Sequence, residues 1–294
     1  MNAPLSRQLL LGLATSDLLE RLVRGTPGGT ALSWRWARRY VAGPALDDAL
    51  ARAHELAASG IAASIDLFGE RVEDRSDADR VLAGYIELAE RVASSAPPGT
   101  WLSVDLSHLA ITTDAAAAAA RLRSIAAALP DGARVQVGAE EAALADAILD
   151  AVLAVPDPRS ITATLQANLR RSAADAERLA RAGVAIRLVK GAYVERPGLA
   201  VPYGEPTDLN YLALADRLGK LDAEVMLATH DGVLREACRH LLPGAGVEML
   251  LGVRPEEAIR LAGAGVAMRV YLPYGPDWFR YAMRRAAEAR GARG

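Results

Sequence analysis

Ile161-Thr-Ala-Thr-Leu-Gln166, the stretch 173–182, and Ala185-Ile-Arg-Leu-Val189 read together as one strand, one helix and a second strand. The two short runs are rich in β-branched and apolar residues, whereas the segment between them carries Ala, Leu, Arg and Glu at helical period. Strands joined through a helix run parallel, so the unit is βαβ. Working outward, the same alternation gives strands at 61–68, 101–106, 134–137, 224–228, 247–251 and 267–272. Helices fall at 77–93, 114–129, 140–151, 208–218, 232–242, 255–262 and 276–290. Asp114 and Pro255 mark two of the helix starts. Eight strand–helix units in series predict an α/β fold, a (β/α)8 TIM-like barrel over 61–294. A helical segment, 1–60, precedes it.

An open doubly wound sheet is the rival, and it usually carries Gly-x-Gly-x-x-Gly after a strand. Gly244-Ala-Gly246 and Gly263-Ala-Gly265 lack the third glycine and follow helices, so they read as helix-to-strand turns. The alanines at 115–120 suit an outer-ring helix. Gly25-Thr-Pro-Gly-Gly29 lacks the Lys-Ser/Thr of a phosphate loop and reads as a turn between two N-terminal helices.

Composition narrows the function classes. The chain has 294 residues, 34 basic against 36 acidic, and a net charge of −2. That balance gives no electrostatic reason to bind nucleic acid or an anionic membrane. One cysteine, Cys238, excludes an internal disulfide framework and suits a reducing, cytoplasmic setting. No apolar run is long enough for an integral membrane segment, and Leu9-Leu-Leu-Gly-Leu-Ala14 lacks a following cleavage site, so no signal peptide is expected. The four histidines show no paired ligand spacing, so no metal site is expected. Only Lys190 and Lys220 break an arginine habit, and Tyr271, Tyr274, Trp278, Phe279 and Tyr281 crowd into eleven residues.

In such a barrel the chemistry gathers at the C-terminal ends of the strands. Strand five delivers Arg187-Leu-Val-Lys-Gly-Ala-Tyr193. Its two cations stand in an otherwise buried run and call for an anionic partner, whether a ligand or a neighbouring helix. Gly191 and Ala192 leave bare backbone for a ligand to approach. At the end of strand six, Asp231 fits a helix cap, and His230 is either structural or functional. Arg284 and Arg285, with Glu288 one turn on, form either a solvated face or a carboxylate clamp beside the barrel mouth.

Arg187-Leu-Val-Lys-Gly-Ala-Tyr193, Ala228-Thr-His-Asp231 and Tyr271-Leu-Pro-Tyr-Gly-Pro-Asp-Trp-Phe-Arg-Tyr-Ala-Met-Arg-Arg285 resemble the flavin-dependent proline dehydrogenases. Asp66-Leu-Phe-Gly-Glu70 is similar to that family's first-strand motif, and the resemblance runs from about Gly60 to Glu288. It implies a barrel that binds FAD and oxidises L-proline to 1-pyrroline-5-carboxylate. The implied partners are a small amino-acid-like substrate and an electron acceptor, either a quinone or oxygen. By the same resemblance Gln166, Lys190, Gly191, Ala192, Thr229 and His230 contact FAD, and Arg187 sits beside its reactive edge. Arg284 and Arg285 clamp the substrate carboxylate, while Glu70, Tyr193, Tyr271 and Glu288 shape the pocket.

Three positions depart from the family pattern. Asp105 stands where strand two usually carries lysine, Gly138 where strand three carries aspartate, and Glu248 where strand seven carries glutamine. A carboxylate at 105 would repel the carboxylate held by the arginines, so proline is expected to be a poor substrate. The alternatives are the same flavin chemistry on another small amino or hydrazino acid, or a flavin-binding protein whose catalysis has decayed.

Overall fold

Eight parallel strands close on themselves in chain order: β1 Ile61–Leu67, β2 Trp101–Val104, β3 Val135–Val137, β4 Ile161–Gln166, β5 Ala185–Val189, β6 Val225–Ala228, β7 Gly246–Leu250 and β8 Met268–Tyr274. Seven register pairs, from Ile61 opposite Met268 to Leu67 opposite Tyr274, seal β1 to β8. The (β/α)8 barrel expected from the alternation is the observed fold. This computed structural model describes Thr26 and residues 29–69, 71–279, 281–282 and 285, with side chains from Ser33 onward. Glu70, Arg284, Glu288, most of the turn at 25–29 and much of the helix expected at 276–290 lie outside the described residues.

Among the described residues the helices are α1 Gly29–Ala37, α2 Leu46–Ala57, α3 Arg75–Ser95, α4 Ala115–Ala128, α5 Ala145–Leu153, α6 Ser172–Arg181, α7 Glu205–Lys220, α8 Gly232–Leu241 and α9 Pro255–Gly263. Local chemistry places several starts. The Asp74 carboxylate accepts from the Ser76 and Asp77 N–H groups, so α3 opens two residues before the expected position. Asp114 caps α4, Asp231 caps α8, and Pro255 occupies the first turn of α9.

Alternation along each strand sorts the residues between two environments. Ile65, Leu102, Val104, Val135, Val137, Ile186, Leu188, Leu227, Val247 and Leu272 face outward into the layer between strands and helices, which forms the main core. The opposite face turns to the barrel interior and is polar: Ser64, Ser103, Gln136, Thr162, Arg187, Glu248 and Arg269. Arg269 closes the N-terminal end. Its guanidinium lies 3.5 Å from the Trp101 ring centroid, and its Nη1 donates to the Ala63 carbonyl at 2.7 Å. Burial pulls its pKa down to about 10.

The ring is completed by an N-terminal element. Helix α2 lies against β1 and β8, with Ala49, Leu50 and Ala53 in the main core. The segment after β8 instead folds over the mouth. Trp278, Phe279, Tyr281 and Ala282 are buried with Ala37, Tyr40, Val41 and Phe68. The C-terminal aromatic cluster is therefore a seam joining α1, the end of β1 and the exit of β8. Edge-on contacts of Trp34 with Trp278 and of Phe68 with Tyr281, both near 5 Å, hold it.

Candidate active site

Three strand ends on one side of the mouth carry most of the expected ligand-binding residues. Gln166 ends β4, Arg187 and Lys190 frame the end of β5, and Thr229 and His230 follow β6. Gln166 Nε2 donates to the Glu140 carbonyl at 2.8 Å, which leaves its buried Oε1 without a protein partner. Asn168 Nδ2 reaches the Tyr193 carbonyl at 3.4 Å, and its buried Oδ1 is likewise without a hydrogen bond. Gly191, at φ +105°, packs so closely on the Asn168 side chain that a Cβ there would collide with it. The backbone conformation favours glycine here, and any side chain would also have to displace Asn168.

His230 is held neutral. Burial, then the surrounding Arg254, Arg285, Arg235 and Arg187, push its pKa down to about 4. Its Nε2 accepts from the Leu250 N–H at 3.4 Å, so the ring proton belongs on Nδ1. That Nδ1 is buried and has no partner in the protein. Thr229 is buried, and its hydroxyl accepts from the Asp231 N–H at 3.2 Å.

The two strand-five cations have protein partners. Arg187 Nε donates to Glu248 Oε1 across the interior at 2.7 Å. Lys190 Nζ lies 2.6 Å from Asp208 on α7 and 3.0 Å from Asp231. Burial would lower the lysine pKa, but its hydrogen bonds to the two carboxylates outweigh that and raise it. Ala192 and Tyr193 are exposed on the following loop.

The opposite side of the mouth is acidic. Asp66 accepts from Tyr85 at 2.9 Å and from Tyr271, and burial, opposed by those two bonds, lifts its pKa to about 6. The strand expected to run to 106 ends at Val104, and the chain turns into a 3-10 helix, Leu106–Leu109. The helix expected from 140 begins at Ala145. Glu140 is drawn inward, where its Oε1 accepts from the Ser107 N–H at 2.9 Å, and burial raises its pKa. Register continues from Val104 opposite Val137 to Asp105 beside Gly138. A Cβ on Gly138 would collide with the Asp105 carboxylate, so that acid occupies the space in front of the glycine. His108, beneath this group, is buried and pushed down to about 4. Arg285 lies 5.4 Å from the centroid of Tyr281, whose ring is 6.1 Å from that of Tyr271.

Two of these groups, Glu140 and Gln136, escaped the reading of strand ends, whereas Asn168 closes strand four in the sequence and Glu248 stands out there as a departure on strand seven. All four emerge as buried polar groups around the interior. Gln136 and Glu248 had a signal in sequence, since each is a lone polar residue within an apolar strand.

Fold and mouth together define a barrel enzyme with its polar groups gathered at the C-terminal strand ends. The family model described as proline dehydrogenase matches residues 49–294. Proline dehydrogenase 1 of Bacillus subtilis is 31% identical over 292 residues, covering 96% of this chain and 94% of that protein. Proline dehydrogenase of Deinococcus radiodurans is 30% identical over 298 residues, covering 97% and 94%. This chain belongs to the proline dehydrogenase family and is an oxidoreductase of that type. Its barrel is similar to proline utilization A (PutA) from Bdellovibrio bacteriovorus, in a structure inactivated by N-propargylglycine. The TM-score is 0.79 at 20% identity over 95% of this chain. A Bradyrhizobium japonicum PutA structure, mutant D779W, gives 0.72 at 24% over 92%. The chain spans only about a third of those two chains, and the likeness concerns the fold. Among the described residues, no helix is long and apolar enough to cross a membrane.

Proposed function

We propose that this chain is an FAD-dependent dehydrogenase of proline or a close structural relative, working at the β4–β6 side of the mouth. The observation that carries the reading is the set of buried polar atoms left without protein partners: Gln166 Oε1, Asn168 Oδ1 and His230 Nδ1. Buried groups of this kind are normally satisfied, and here they lie along adjacent strand ends. They offer two acceptors and one N–H donor beside the bare backbone of Gly191, which suits a flat, polar-edged cofactor. Gln166, Lys190, Gly191, Ala192, Thr229 and His230 are the residues we assign to FAD, with Arg187 beside its reactive edge. FAD, when bound, supplies an acceptor for the two electrons and the proton that leave the carbon next to the amine, so proline yields an imine.

The rest falls to the protein. Arg284 and Arg285 hold the substrate carboxylate, a geometry that guanidinium forks suit. Tyr271 gives its hydroxyl proton in a hydrogen bond to Asp66 and so presents a fixed ring to the pocket. Glu70, Tyr193 and Glu288 complete the pocket by resemblance. The substrate amine must shed its ammonium proton before oxidation, and carboxylates nearby would hold that proton on.

One observation favours a different amino acid over proline. The Asp105 carboxylate fills the space before Gly138, at the strand end where the resemblance implies a lysine, so it would repel a substrate carboxylate held nearby. Two like charges about 5 Å apart at an effective dielectric of about 20 repel by ~3 kcal/mol, near a hundredfold in affinity.

The deciding experiment loads the purified chain with FAD and follows anaerobic bleaching of the flavin by proline and a panel of small secondary amino and hydrazino acids. Bleaching by any of them supports the reading, and a protein that stays colourless with FAD overturns it. The Asp105→Lys/Gly138→Asp variant then reports on the substrate. Faster proline turnover than wild type identifies the two replacements as the change of specificity. Brisk wild-type turnover that the variant does not improve assigns proline itself.

A further inference from the structure

The barrel interior holds a charge arrangement that the proposed chemistry does not account for. Glu248 on β7 is fully buried, with no exposure of its side chain. Its Oε1 accepts from Arg187 Nε at 2.7 Å and from Gln136 Nε2 at 3.1 Å, while Oε2 has no hydrogen bond. β5 and β7 are not neighbours, so the carboxylate reaches past β6 to meet the arginine. Opposite it on β8 stands a second interior cation, Arg269, whose charge Glu248 also supports.

A carboxylate placed here costs desolvation, and an amide would satisfy the same Arg187 and Gln136 donors without that cost. What the carboxylate adds is charge. Its bond goes to Nε, so among the described residues the terminal amines of Arg187 have no hydrogen-bond partner, while the carboxylate lies in direct contact with the guanidinium. The mouth therefore meets the positive end of a buried ion pair and not a bare cation. Negative charge gathers on a flavin as it takes up electrons, and a cation at its edge raises its potential. A counter-charge at 2.7 Å withdraws much of that gain.

We infer that Glu248 is a positioning residue that tempers Arg187 and sets the potential of the bound flavin below the value Arg187 alone would give. The inference rests on the FAD reading proposed above. Its test is the midpoint potential of the flavin in FAD-loaded protein, measured by dye-coupled anaerobic titration for wild type and Glu248→Gln. The amide keeps an acceptor for Arg187 Nε and removes only the charge. The expected result is a rise equivalent to tenfold or more in the oxidised-to-reduced equilibrium, about 30 mV for a two-electron couple. A merely structural partner would leave the potential where it was, and an unchanged value overturns the inference.

Should Glu248→Gln not fold, the neutral pair Arg187→Gln/Glu248→Gln carries the test, because it leaves no unpaired buried charge. If Glu248 cancels Arg187, the double variant stays within about twofold of wild type, near 9 mV. A fall of tenfold or more would show Arg187 acting as an unopposed cation and would overturn the inference. Flavin content separates the two levels of failure. A colourless wild type removes the FAD reading and this inference with it, whereas a yellow wild type with an unresponsive potential removes the inference alone.

Discussion

The β4–β6 side of the mouth and the β1–β3 side are built from the same parts list, with opposite results. On the first, buried polar atoms of Gln166, Asn168 and His230 have no protein partner. On the second, the acids are engaged from within: Asp66 by two tyrosines, Glu140 by the Ser107 N–H, and Asp105 packed over Gly138. Unsatisfied buried groups make sense when a ligand regularly supplies the missing bonds, whereas a self-satisfied acidic wall acts by shape and repulsion. On the proposed reading, the difference teaches that cofactor binding and substrate choice fall to separate arcs of one ring, so either can change while the other is kept.

Both arcs carry a buried neutral histidine, and acid titration breaks the symmetry most forcefully. His108 and His230 have folded pKa values near 4 against an ordinary 6.5. A depressed value contributes stability that is present above the unfolded pKa and lost as pH falls through the folded one. Each histidine should therefore cost about 3 kcal/mol between pH 6.5 and 4. Asp66 runs the other way, because its folded value near 6 is raised above 3.8. Its contribution is complete below about 3.8 and lost as pH rises through 6, so on acidification it offsets about half of the histidine loss. Urea unfolding should show a net loss of about 3 kcal/mol in wild type and about 6 in Asp66→Asn. Equal losses in the two proteins would mean that Asp66 is ionised throughout.

A substitution on the acidic arc comes next. Gly138→Asp alone places a second carboxylate against Asp105, at ~3 kcal/mol for charges about 5 Å apart. The collision itself adds less, since a carboxylate can swing aside. Adding Asp105→Lys converts the repulsion to a pair and should restore the thermal midpoint. A single variant as stable as wild type would show that Asp105 does not occupy that space in solution.

How much of this was legible in the sequence depended on what each residue answers to. β4 and β5 match the expected bounds because β-branched runs there end in polar residues and glycine, a local signal. The second strand was read too long because Asp105-Leu106 continues the alternation while the chain already turns to bury His108. Glu140 looked like the first residue of a helix, yet its carboxylate is captured by the Ser107 amide from the neighbouring strand end. The placing of α2 between β8 and β1 and the reach of Glu248 to Arg187 depend on barrel closure, which brings distant segments together. No window of sequence contains both partners.

A smaller effect tests the proposed substrate clamp. Arg285 packs over Tyr281, which ties it to the aromatic seam. Each charged hydrogen bond to a buried carboxylate is worth roughly 1.5–3 kcal/mol. Arg285→Met should weaken substrate binding about ten- to a hundredfold while FAD content holds. Unchanged affinity, measured by titrating flavin bleaching, would remove Arg285 from the clamp.

The smallest expected effect asks whether the β4–β6 arc is a cradle or a strut. Asp231 serves two structures at once, since its carboxylate caps α8 through the Val233 and Leu234 N–H groups and pairs with Lys190. Asparagine caps a helix about as well as aspartate, so Asp231→Asn keeps α8 and removes only the charge. Lys190 retains Asp208. Both side chains of the Lys190–Asp231 pair are partly exposed, at 22% and 35%, so the lost pair is worth at most about 1 kcal/mol after screening. That is roughly 2–4 °C in thermal midpoint for a chain of this size. If Lys190 belongs to the FAD site, the same change frees part of its charge for the cofactor's phosphates, and FAD should bind about two- to fivefold tighter even as the apoprotein melts slightly earlier. The two readouts move in opposite directions only for a lysine shared between protein and ligand. A strut would lose stability with no gain in FAD affinity, and Lys190 would then leave the cofactor set while Gln166, Gly191 and His230 remain.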